Sequence, residues 1–143
     1  MRCQFHRFAA KTLIALACFA AAFTIGGCSV SQAGGEKVKD LEFSVISREE
    51  TPQELKDMIA SKESSAFKMT YSDSQDLYIA VGYGEQEGGG YSIRVNELYL
   101  TGNAIVLDTE LLGPEKGEQA GEEASWPYIV LRTEYSELPV IFQ

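Results

Sequence analysis

The chain has 143 residues, 12 Lys and Arg against 21 Asp and Glu, and a net charge of −9, an acidic balance that repels phosphate backbones and speaks against nucleic acid as a partner. Its one histidine, His6, and its three cysteines, Cys3, Cys18 and Cys28, all lie within the first 28 residues. The remainder therefore lacks imidazole and thiol, which excludes Ser-His and Cys-His nucleophiles, disulfides and nearly every zinc or copper site.

Arg2, Arg7 and Lys11 precede an uncharged stretch from Thr12 to Gly27, the basic then apolar order of an export signal. The apolar part, Leu13 to Ile25, is 13 residues long, against the roughly 20 that a spanning helix needs. It is expected to be removed. Ile25-Gly26-Gly27-Cys28 resembles the lipobox of bacterial lipoproteins, which implies cleavage after residue 27 and diacylglycerol on the sulfur of Cys28. Removing 27 of 143 residues leaves 116, with nine Lys and Arg against 21 acids, a net of −12. That is one domain's length. The expected layout is a signal over 1–27, a lipidated, flexible tether over 28–40 and a single β-rich domain over 41–143.

Along that domain, Leu41, Phe43 and Val45 alternate with polar residues as in a half-buried strand. Thr51-Pro52-Gln53-Glu54 then reads as a capping box with proline at the first helical position. Leu55, Met58, Ile59 and Lys62 follow at helical spacing, which predicts a short amphipathic helix over about 52–62. From Ala66 onward the period is two. Phe67, Met69 and Tyr71, a polar turn at 72–75, and Leu77, Ile79 and Val81 predict an antiparallel hairpin. Gly102-Asn103 predicts a second one, pairing Leu100 with Ile105 and Leu98 with Leu107 on one face. Continued, that register sets Glu97 against Asp108, a repulsive cross-strand pair. The apolar phase also slips by one between Val95 and Leu98, so a β-bulge is expected near Asn96-Glu97. Residues 113–125 read as a solvated acidic loop, and Tyr128 to Thr133 and Pro139 to Phe142 as the last strands. The fold class is mainly β (α+β), a small antiparallel or sandwich-like domain with one helix.

No motif carries catalysis. Gly82-Tyr83-Gly84-Glu85-Gln86-Glu87-Gly88-Gly89-Gly90-Tyr91 misses the spacing of a dinucleotide loop, and its acids would repel phosphate. The acidic pairs Asp73 and Asp76, Asp108 and Glu110, and Glu122 and Glu123 lack EF-hand spacing. No catalytic residue, metal ligand or cofactor is assigned. Trp126 and Tyr128 belong to the residue types that dominate interface hot spots, although such clusters more often form a core rim. The partner-binding candidates are Gly88, Gly89, Gly90, Tyr91, Trp126 and Tyr128, with Trp126 decisive if it stands exposed beside the glycine loop.

Taken together, Tyr78-Ile79-Ala80-Val81-Gly82, Gly89-Gly90-Tyr91-Ser92-Ile93, Gly113-Pro114 and Pro127-Tyr128-Ile129-Val130 resemble the PrcB C-terminal domain family over about 66–142. The resemblance implies a non-catalytic, β-rich extracytoplasmic domain that stabilises or associates with a protease. The chain departs from the family pattern at Glu87-Gly88, where Pro-Thr is usual. Gly89-Gly90-Tyr91 with Trp126-Pro127 is also similar to the loops of chagasin-type protease inhibitors, which implies a cleft-plugging alternative. A small-ligand or calcium-binding module built on the acidic loop is a third reading. The expected partners are a protein, such as a secreted or surface protease, and a membrane reached through the lipid.

Overall fold

A computed structural model describes residues 35–115 and 121–143. The expected signal, Cys28 and the first part of the tether lie outside the described residues, as do 116–120 of the acidic loop. Eight strands and one helix follow in chain order: β1 Lys37–Asp40, β2 Phe43–Val45, α1 Gln53–Ala60, β3 Ala66–Ser72, β4 Asp76–Tyr83, β5 Ser92–Thr101, β6 Ile105–Leu112, β7 Tyr128–Glu134 and β8 Val140–Phe142. They form two four-stranded sheets, β1-β5-β6-β8 and β2-β7-β4-β3. The mainly β expectation with one short helix holds. One pairing departs from an antiparallel plan, because β8 runs parallel to β6.

Between the sheets, Leu77, Ile79, Val81 and Leu131 of one meet Leu98, Ile105 and Leu107 of the other in a buried cluster. Each fully buried aliphatic side chain there stabilises the fold by about 2 kcal/mol. Side chains alternate across a strand, so the even-numbered residues of β4 face the other way. Tyr78 and Ala80, with Phe67 and Val130, pack against Ile46, Leu55 and Ile59. The helix thus covers the outer face of the second sheet, which makes β4 buried on both sides. That explains its unbroken apolar run from Leu77 to Val81.

The two predicted hairpins form. Met69 stands opposite Ala80 and Phe67 opposite Gly82, while Leu100 pairs with Ile105 and Leu98 with Leu107. Gly102 does not adopt the left-handed backbone that a primed turn beginning with glycine uses. Instead the Thr101 hydroxyl closes the turn, accepting from the Ala104 amide at 3.0 Å. The bulge falls at Asn96, where the register shifts between Val95 and Glu97. Glu97 and Asp108 do face each other across the ladder. The repulsion is offset by Lys37 Nζ, 3.4 Å from Glu97, and by the Asn96 amide, which donates to Asp108 at 3.1 Å.

Two expectations are corrected. The capping box lies upstream of Thr51: Ser47 N–H donates to the Glu50 carboxylate at 3.0 Å, and Glu50 N–H donates to Ser47 Oγ at 3.4 Å. Thr51 is buried and donates to the Ser47 carbonyl, so Pro52 occupies the N-cap without a side-chain cap. The helix is accordingly shorter than 52–62. The far end of the expected tether is also not free chain. Lys37–Asp40 pairs with β5 as an edge strand, and Gly35 enters it with φ +81°.

The β3–β4 turn is organised by Asp73. Its Oδ1 accepts from the amides of Gln75 and Asp76, both at 2.8 Å, and these bonds hold its pKa below the ordinary 3.8. A depressed folded-state pKa adds stability that is present above the unfolded value and lost as pH falls through the folded one. Asp73→Asn is therefore expected to flatten the acid limb of the stability curve below about pH 4. Urea titrations at stepped pH check this, and a limb as steep as wild type would contradict the assignment.

Candidate functional site

Two connections cross between the sheets at the same end of the molecule. Residues 84–91 lead from β4 to β5, and residues 113–127 lead from β6 to β7. Ser92 lies opposite Leu112 and Gly82 opposite Tyr128, so the strand ends that launch both loops are neighbours. Gly84 starts the first loop with φ +71°, close enough to β3 that a Cβ would sit 2.8 Å from the Ala66 nitrogen. Only glycine is free of penalty there.

The two loops are bound to each other. Gln86 and Ser125 exchange backbone hydrogen bonds, 2.8 Å from the Gln86 amide and 3.1 Å from the Ser125 amide. Ser125 Oγ donates to the Gly88 carbonyl at 2.6 Å. Gly88 is buried and has φ +88°. Gly89 runs alongside Gly121, backbone to backbone. Gly90, at φ +83°, leaves room for Pro114, and the Tyr91 ring lies against Gly113. Beneath them, Tyr83 Oη bonds Thr109 on the opposite sheet at 2.9 Å. Glycine here lets two backbones meet.

Trp126 follows directly on the clamped Ser125 and is 42% exposed. The indole is therefore exposed and not part of the core. Gly88, Gly89, Gly90 and Tyr91 are gathered beside the same strand end. Tyr128 is set apart, because its ring lies 6.5 Å from that of Phe67, in the helix-side cluster. On the same two loops, Glu85, Glu87, Glu122 and Glu123 are exposed. The described parts of the two loops contain no Lys or Arg. Sequence reasoning missed the clamp residues Gln86 and Ser125, since nothing local marks a backbone pairing between them or a Ser125 hydroxyl bonded to a carbonyl 37 residues away.

Among the described residues, no group of three or more His, Cys, Asp or Glu is placed to hold a metal ion. No buried side-chain polar atom among them is left without a hydrogen-bond partner. No described helix is long and apolar enough to cross a membrane. A groove of about 930 Å³ lies elsewhere, lined by Leu41, Phe43, Asp76, Arg132 and Glu134 among others. It is open to solvent and lined mostly by polar and charged residues.

The segment that carries both loops is also the part of the chain that is similar to a known family. Residues 77–134 match the family model described as PrcB C-terminal. The PrcB C-terminal match covers nearly all of β4, then β5, β6 and β7, the two inner strands of each sheet. Every candidate residue of the loop end falls inside it. The edge strands β1, β2, β3 and β8 and the helix lie outside, so the match is shorter than the 66–142 expected. No curated protein and no solved structure matches the chain.

Proposed function

We propose that this chain is a non-catalytic, lipid-anchored extracytoplasmic protein that uses the loop end of its sandwich to bind a protein, with a secreted or surface protease as the partner class. The observation that carries the reading is an exposed Trp126 fixed beside a glycine loop that Ser125 locks in place. A rigid aromatic on a preorganised surface loses little entropy on binding. The PrcB C-terminal match supports an accessory role in a protease complex. The lipobox-like sequence at Cys28 supports the anchor and the extracytoplasmic address. The acidic rim favours a basic counter-surface, because complementary charge speeds association and rejects wrong partners.

Capture of the full protein after mild membrane solubilisation tests this. The expected result is stoichiometric recovery of a protease, and recovery of the protein alone would count against it. The same exposed loop also suits the plugging of an active-site cleft. Loss of activity in a panel of cysteine and serine proteases, titrated with the purified domain, would favour the inhibitor.

A further inference from the structure

We infer that the Trp126 end of the sandwich is held away from the membrane, so that its partner docks on the membrane-distal face. The inference rests on the proposed anchor at Cys28. The described chain enters at the opposite end: Gly35 lies beside Asn103 and Thr101, and Lys37 pairs with Thr101. Thr101 is the last residue of β5, and Ser92, its first, stands next to the glycine loop. Nine steps of strand separate the two ends by about 30 Å. From Cys28 to Gly35 there are seven residue steps, which reach at most about 25 Å when fully extended. The tether is thus shorter than the body it holds. Its point of attachment lies at the Gly102-Asn103 end, and the loop end is the part of the domain farthest from it.

This geometry also gives the edge strand β1 a purpose. If residues 37–40 were free chain, the reach would grow by four residues, about 14 Å, and either end could touch the bilayer. Pairing with β5 shortens the tether and fixes its exit at one end.

Trp126 is the only tryptophan, so energy transfer to dansyl-labelled lipid reports the distance of the loop end from the bilayer. The full lipidated protein would be reconstituted in phosphatidylethanolamine and phosphatidylglycerol vesicles, with flotation measured first. A second protein, Trp126→Phe with Gly102→Trp, moves the donor to the entry end, where a Cβ on residue 102 meets nothing within 4 Å. Transfer from residue 102 is expected to be at least double that from residue 126. Equal or greater transfer from residue 126 in protein that floats would overturn the orientation and leave the anchor standing. Protein that fails to float would overturn the anchor and this inference with it.

Discussion

Gly82→Ala is expected to destabilise the domain by about 2 kcal/mol, the usual cost of overpacking a filled core. A Cβ on residue 82 would lie 2.6 Å from Cζ and 2.7 Å from Cδ1 of the Phe67 ring. That ring has little room to retreat, since Phe67 is 8% exposed and is hemmed by Tyr128. Gly82 stands between Phe67 and Tyr128 in the ladder, so the glycine gives up its side-chain space to the cross-strand aromatics. A thermal melt should fall by roughly 10 °C. Combining the change with Phe67→Leu should restore part of the loss, because residues in contact are not additive. An unchanged melt for Gly82→Ala would show that the ring does not lie over the glycine.

Leu55→Ala should cost about 3 kcal/mol, within the range for truncating a buried leucine. Leu55 is fully buried and Ile59 nearly so, whereas Met58 on the same predicted stripe is 38% exposed. A helix of eight residues is too short to persist in water alone. Its contacts with Ile46, Tyr78 and Val130 are what keep it folded. Denaturant unfolding should show the loss, together with a weaker helical signal by circular dichroism. The Trp126 emission of the folded state should not move, because the helix packs on the outer face of the second sheet, away from the loop clamp. A variant that keeps full stability would contradict the three-layer arrangement.

Features written into short stretches of sequence were legible. The alternation from Phe67 to Val81 specified a hairpin, and the odd-to-even phase slip between Val95 and Leu98 located the bulge at Asn96. Pairings that depend on distant partners were not. Lys37-Val38-Lys39-Asp40 has a single apolar residue, and Val38 is 65% exposed, as an edge strand permits. Nothing in its composition distinguishes it from tether. The parallel placement of β8 on β6 requires the chain to return from the second sheet, a path that no local residue encodes. Ser47 to Glu50 carries the same S-x-x-E signal as Thr51 to Glu54 carries in its T-x-x-E form, and the two compete. The upstream pair wins because the Thr51 hydroxyl turns back to the Ser47 carbonyl. At the candidate site, glycine and aromatic content identified the loop, but only the folded chain brings Ser125 to Gly88.

Protein binding by the loop end through Trp126 is tested most directly by the affinity of Trp126→Ala for the protease recovered by capture. An exposed aromatic anchor is expected to contribute about 2 kcal/mol or more to binding, so the variant should bind roughly 30-fold more weakly or worse. Its melting temperature should stay within a few degrees of wild type, as for other surface substitutions. Undiminished affinity in a folded Trp126→Ala protein would contradict a binding role for Trp126.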